Sequence, residues 1–179
     1  MGHINIEIKA RYFDSFKKAH IIAQRLSSKY VGLDKQIDTY FKTINSGRFK
    51  LRESLISGAY LVPYIRPDQL SAKKSSYLSI KVENNDIAQV KKLFSKLYGI
   101  EAIVEKVRDI YYYDNVRIHL DEVNGLGRFF ELEAEYKNDL SENHNSKDEK
   151  IEFLMKEFGI SKENLLCQSY KEMISKKIL

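Results

Sequence analysis

The stretch INIEIKAR, residues 4–11, alternates without a break: Ile4, Ile6, Ile8 and Ala10 are apolar, while Asn5, Glu7, Lys9 and Arg11 are polar or charged. Strict alternation describes a strand with one face on a core. The fold turns on what the other face meets. Facing water, any charges would do; turned inward, they would demand a charged ligand.

The same period recurs along the chain. QIDTYFKT (36–43) and RFKLRES (48–54) flank a turn at NSG and read as a hairpin. GAYLVPYIRPD (58–68) and YLSIKVE (77–83) read as further strands, with Pro63 demanding an edge or a bulge. IEAIVEKVRDIYYYD (100–114), NVRIHLDEV (115–123) and GRFFELEAEY (127–136) complete eight strands. Helical spacing appears in 14–30, with Phe16, Ala19, Ile22, Ala23 and Leu26 on one stripe and Gly32 past the end. It returns in 85–99, with Ile87, Val90, Leu93, Phe94 and Leu97, and in 151–160 and 167–179 after a polar link at 137–150. The predicted order is β-α-β-β-β-β-α-β-β-β-α-α. Long antiparallel hairpins dominate, so the fold class is α+β: an eight-stranded antiparallel barrel with helices packed outside. One domain spans 1–179, with the barrel over about 4–136 and a C-terminal helical segment over about 147–179.

Period two sorts the residues by face. One face of nearly every strand is apolar and suits the helices. The other carries Lys9, Arg11, Arg48, Lys50, Arg52, Arg66, Lys81, Lys106, Arg108 and Arg117, with acids at Glu7, Asp121, Glu131 and Glu133. Like charges crowded in a lumen repel and lose hydration at large cost. A polyanion with its cations relieves both, since arginine and lysine suit phosphate oxygens and grouped carboxylates suit hard divalent ions. Together they describe a metal–triphosphate site.

The 179 residues carry a net charge of +5 and 43% hydrophobic residues, the balance of a folded chain with an anionic partner. One cysteine, Cys167, excludes an intrachain disulfide and a cysteine-rich metal site. No apolar run reads as a signal peptide or membrane span, so a cytoplasmic protein without a membrane partner is expected.

In order along the chain, NIEIK, DTYF, GRFKLRE, YIRPD, VEKVRDIY, VRIHLDEVNGLGRFFELE and the late QSY resemble the CYTH superfamily of triphosphate tunnel enzymes, closest to its class IV adenylyl cyclase-like branch. The resemblance covers roughly 4–136 plus Ser169 and Tyr170. It implies an eight-stranded tunnel. It assigns Glu7, Asp121, Glu131 and Glu133 to Mg²⁺ or Mn²⁺. Lys9, Arg48, Lys50, Arg52, Arg66, Lys81, Lys106, Arg108 and Arg117 are assigned to a triphosphate such as ATP, with Glu7, Lys9, Arg117 and Asp121 at the chemistry. A homodimer is compatible with relatives in this branch. Asn5 stands where the family signature has its first Glu. A neutral carbonyl oxygen there weakens the case for a second metal.

Attack of a ribose 3′-hydroxyl on the α-phosphorus would give cyclic AMP and pyrophosphate. Attack of water on the γ-phosphorus would make the chain a triphosphatase of organic triphosphates or tripolyphosphate. A reading of another class is a non-catalytic binder of phosphoryl ligands or RNA. The acids set among the bases, and the lack of an RNA-binding motif, weigh against nucleic acid. His119 reads first as a hydrogen-bonded structural histidine, Tyr111–Tyr113 as hairpin packing, and Gly125–Gly127 as a turn. Ser169 and Tyr170 could close one tunnel mouth or pack a helix, and Glu53 reads as a structural partner because it lies opposite in parity to Arg52.

Overall fold

The computed structural model describes residues 4–44, 47–65, 76–136 and 144–178. Nine antiparallel strands form one sheet. They are β1 (Ile4–Arg11), β2 (Lys29–Phe41), β3 (Arg48–Ser54), β4 (Gly58–Ile65), β5 (Ser76–Tyr77), β6 (Ile80–Val82), β7 (Ile100–Tyr113), β8 (Val116–Val123) and β9 (Gly127–Tyr136). The order is β1-β9-β8-β7-β2-β3-β4-β5, with β6 also on β4. The helices are α1 (Phe16–Leu26), α2 (Ile87–Tyr98), α3 (His144–Glu157) and α4 (Tyr170–Ile178).

The expected barrel is present as a curled sheet. Its edges, β1 and β5, are not joined by strand pairing among the described residues, yet Glu7 and Lys9 from one edge and Tyr77 from the other line a single cavity. The open edge of β1 is partly covered by the segment before α4. Leu165 bridges Ala10, and the Leu166 amide donates to the Lys9 carbonyl at 2.8 Å. That contact satisfies backbone groups that an edge strand leaves open.

Two expectations shift, each for a local reason. The single strand expected at 77–83 is broken into β5, which pairs Tyr77 with Tyr64, and β6, which pairs Ile80 with Leu61. Pro63 sits opposite the break and has no N–H to give a continuous ladder; its carbonyl instead accepts from the Leu78 amide at 3.1 Å. The helical pattern expected over 14–30 stops at Leu26, and β2 begins at Lys29 and runs through Gly32. Gly32 takes φ 134°, and the register against β7 slips between Tyr30 and Gly32. A side chain would be strained at that φ, so glycine here makes the bulge.

The apolar faces pack outward against helices. Ala19 and Ala23 of α1, Ile151 and Leu154 of α3, and Phe158 in the turn after α3 bury against Ile118, Leu120, Phe130 and Leu132. Ile87, Val90 and Phe94 of α2 cover Phe41, Leu51, Ala59 and Val82. A third cluster lies on the inward parity: Tyr40, Ala102, Val104, Val123 and Phe129 pack against Tyr170 and Met173 of α4. The inner faces of β7, β8 and β9 thus turn apolar toward one end, and α4 fills it. Arg11 belongs to this filled end, donating to the Leu126 carbonyl at 3.0 Å with its guanidinium 5.2 Å from the Phe129 ring centre. No described helix is long and apolar enough to cross a membrane.

Leu132 is wholly enclosed between the sheet and its covering helices. Leu132→Ala should cost about 2–5 kcal/mol, read from the urea midpoint; a change below about 1 kcal/mol would contradict this packing.

Candidate functional site

A cavity of about 610 Å³ opens inside the curled sheet. Its polar lining follows from the alternation. Asp34, Gln36, Asp38 and Tyr40 project from β2, Lys50 and Arg52 from β3, Lys106 and Arg108 from β7, Arg117 and His119 from β8, Glu131 and Glu133 from β9, and Glu7 and Lys9 from β1. Because β3 and β7 flank β2, their four cations stand on either side of the β2 carboxylates. Because β1 and β9 pair with Glu7 opposite Glu133, the two glutamates share the opposing wall.

The cations are held from their own sheet. Asp38 accepts from Arg52 Nε and Nη2 at 2.7 Å each and from Lys50 Nζ at 2.7 Å. Burial works to raise the Asp38 pKa, but the Arg52 and Lys50 charges outweigh it and hold the carboxyl well below the usual range. Asp121, fully enclosed, accepts from Arg108 Nε and Nη2 at 2.6 Å each and from the Tyr170 hydroxyl at 2.8 Å, with Lys106 Nζ at 3.4 Å. Glu131 pairs with both Arg108 and Lys9, and His119 Nδ1 lies 3.6 Å from it. Lys9 also reaches Glu7 at 3.3 Å, and Arg117 donates to Glu133 at 3.0 Å. Paired charges of this kind persist in a protein interior where single ones do not.

Burial, reinforced by the Arg52 charge, pushes the Lys50 pKa down to about 7 despite Asp38. Burial and the neighbouring Arg108 push Lys106 down to about 8. Burial, with Arg108 beside it, also lowers His119. These are environments in which a cation is present but held at a cost, and an arriving anion relieves it.

Tyr170 forms part of the floor. Its ring lies 4.1 Å from Lys9 Nζ and 5.2 Å from Lys106 Nζ, measured to the centroid, and burial keeps its hydroxyl protonated. Arg48 is buried and ion-paired with Glu172 of α4, so it stands at the filled end rather than along the cavity wall. Lys81 is exposed, 3.3 Å from Glu83, and does not line the cavity. Arg66 lies outside the described residues, as does the Asn5 side chain. Glu53 meets Lys91 of α2 at 2.7 Å on the outer face, the structural pairing its parity predicts.

Period two along QIDTYFKT puts Asp38 on the same face as Gln36 and Tyr40, but it does not reveal that Asp38 is the centre of an ion cluster. The signal was its register: the hairpin sets Asp38 opposite Arg52 and Tyr40 opposite Lys50. Asp34 precedes the alternating stretch QIDTYFKT, so period two there does not reach it, although β2 extends back to Lys29. Asp34 accepts from Gln36 Nε2 at 2.6 Å, from the Ser54 hydroxyl at 2.8 Å, and from the Ile56 amide at 3.2 Å.

Among the described residues, no three His, Cys, Asp or Glu side chains converge as a preformed metal cage. Mg²⁺ in phosphate sites is often held by one or two carboxylates, with phosphate oxygens and water completing its shell. Glu7 and Glu133 fit that donor set, being directly opposite each other, part-exposed and on the cavity wall. Asp121 does not, because Arg108 and Tyr170 enclose its oxygens.

The class of protein is thereby defined: an antiparallel sheet curled round a cavity with a cationic wall and a carboxylate wall. The CYTH domain model matches residues 3–170, and the chain belongs to this family. A Methanocaldococcus jannaschii protein carried as a candidate adenylate cyclase is 30% identical over 178 residues, 95% of this chain and 98% of that protein. A solved Pyrococcus horikoshii structure has a TM-score of 0.73 at 22% identity, covering 94% of this chain and 98% of its own. A Hippeastrum structure, described as a candidate adenylyl cyclase with dominant triphosphatase activity, has a TM-score of 0.70 at 15% identity, covering 98% of this chain and 95% of its own.

The lowered pKa values of Lys50 and Lys106 predict that a triphosphate binds with proton uptake. Between pH 7 and 9 the free lysines lose their protons while the polyanion favours the charged forms, so affinity should fall as pH rises. Titration calorimetry in buffers of different ionisation enthalpy at pH 8.5 should show uptake on the order of one to two protons; heats independent of the buffer would contradict it.

Proposed function

We propose that the chain is a metal-dependent enzyme acting on a nucleoside or other organic triphosphate, adenylyl cyclase-like, converting ATP to cyclic AMP and pyrophosphate. The observation that carries the reading is the two-walled cavity. Lys50, Arg52, Lys106 and Arg108 stand on one wall and Glu7 and Glu133 on the other. The whole lining holds six basic side chains and five carboxylates, so its own charge is close to neutral. A triphosphate entering a neutral lumen brings excess negative charge, and added protons and cations balance it.

In this reading the cationic wall grips and extends the triphosphate, and Lys9 and Arg117 stand beside the carboxylates to orient it. Asp121 and Asp38 act through the guanidinium groups they hold, as positioning residues. When bound by Glu7 and Glu133, Mg²⁺ or Mn²⁺ supplies charge neutralisation and Lewis acidity at the phosphate oxygens. Holding the chain of phosphates straight from several sides lowers the entropic part of the barrier and adds to the charge stabilisation that phosphoryl-type transfer needs. In cyclisation, the ribose 3′-oxygen bonds to the α-phosphorus and releases its proton. The bond from that phosphorus to the bridging oxygen breaks, and pyrophosphate leaves.

A second reading is hydrolysis at the γ-phosphorus, favoured by the triphosphatase activity named for the Hippeastrum relative of the same fold. Incubation with ATP, GTP, thiamine triphosphate and tripolyphosphate, each with Mg²⁺ or Mn²⁺, separates them by product. Cyclic AMP supports the first and orthophosphate the second, while turnover of none overturns both. Glu133→Gln removes one wall charge at a part-exposed position, so the fold should survive. Its kcat should drop on the order of 10²-fold or more, rising partly at high metal concentration; unchanged turnover would remove the carboxylate wall from the mechanism.

A further inference from the structure

The cavity has two unlike ends. α4 fills one with Tyr170 and Met173. At the other, Val31 and Ile56 are part-exposed, and they line the cavity together with Ile110 and Tyr112. Ile56 lies within 3.6 Å of the space beside Gly32, the position paired with Ile110, so these side chains share one mouth. These four side chains offer phosphate nothing; they give an organic group an apolar surface at the end of the cavity where Arg117 stands opposite Tyr112.

Gln36 lines the cavity within the cationic wall, 6% exposed, with Lys106 opposite it on β7 and Ser54 opposite it on β3, one inward position deeper than the Asp34–Arg108 pair that borders the mouth. Its amide cannot be turned round. Nε2 donates to Asp34 Oδ2 at 2.6 Å, and a carboxylate can only accept. Asp34 is itself fixed by the Ser54 hydroxyl and the Ile56 amide. The remaining atom, Gln36 Oε1, is enclosed and has no hydrogen-bond partner among the described residues. Enclosed acceptors are seldom left unpaired, because the lost hydration is not recovered.

We propose that Gln36 is a specificity-determining residue: its Oε1 accepts a hydrogen bond from the organic part of the triphosphate, seated against Val31, Ile56, Ile110 and Tyr112. The inference rests on the triphosphate reading and adds the class of group the cavity selects, a flat or partly apolar moiety carrying an N–H or O–H donor. On a nucleotide this donor is the exocyclic amino group of the base or a ribose hydroxyl. A group lacking a donor leaves Oε1 unpaired and binds more weakly by the worth of one hydrogen bond.

The test uses equilibrium binding, which does not depend on turnover. Wild-type protein and Gln36→Leu are titrated in Mg²⁺ with three non-cleavable ligands: bis-methylene ATP, its analogue lacking the exocyclic amino group, and bis-methylene inorganic triphosphate. Gln36→Leu should weaken ATP-analogue binding on the order of 5- to 10-fold and leave the inorganic ligand unchanged. If the base supplies the donor, the wild-type protein prefers the aminated analogue by a similar factor and the variant loses that preference. If a ribose hydroxyl supplies it, the two nucleotides bind alike and both weaken in the variant. Equal weakening of all three ligands, or of none, overturns the inference while leaving the phosphate site standing. Failure of the wild-type protein to bind any of the three overturns the triphosphate reading and this inference together.

Discussion

Asp38 holds Arg52 with both oxygens and Lys50 with one, inside a sheet where water has little access. The same arrangement is built a second time, where Asp121 grips Arg108 and stands near Lys106. Removing either aspartate would leave several charges buried without an answer, which is among the costliest changes a protein core can suffer. These two carboxylates keep the inward charges in place without any ligand. They also aim the cations across the lumen rather than into solvent.

The outer packing and the inner pairing depend on each other through strand periodicity. Inward charges such as Lys50, Arg52, Arg117 and Glu131 alternate with outward Leu51, Ile118 and Leu132 under helices. A slip of one residue would move every charge into the outer core and every apolar side chain into the lumen. The register is therefore held from both faces. α4 adds a third constraint by occupying the end of the lumen, where Val104, Val123 and Phe129 replace the charges.

Much of this could be read in advance, for reasons that differ by residue. The alternation of 7–11, 48–54, 116–123 and 127–134 assigned faces correctly because period two is a local property of an extended chain. The cavity-lining positions of Lys9, Lys50, Arg52, Lys106, Arg108 and Arg117 followed from it. Lys81 shares that parity yet lies exposed beside Glu83, because β6 is a three-residue strand at an open edge. Arg48 shares it too, but meets Glu172 from α4, a helix more than a hundred residues away in sequence. Asp121, grouped by the family resemblance with metal ligands, is enclosed by Arg108 and Tyr170. No local pattern distinguishes a carboxylate that faces a ligand from one that faces an arginine.

The sequence by itself determined which residues face inward, which face the helices, and that the inward set mixes cations with carboxylates. Those properties follow from residue order and the pleat of a strand. The tertiary structure alone decided which charges meet, which end of the lumen is filled, and where Gln36 stands relative to the open mouth. Each of those depends on how the sheet curls and on a helix returning from the far end of the chain, and neither is encoded within the span of one strand.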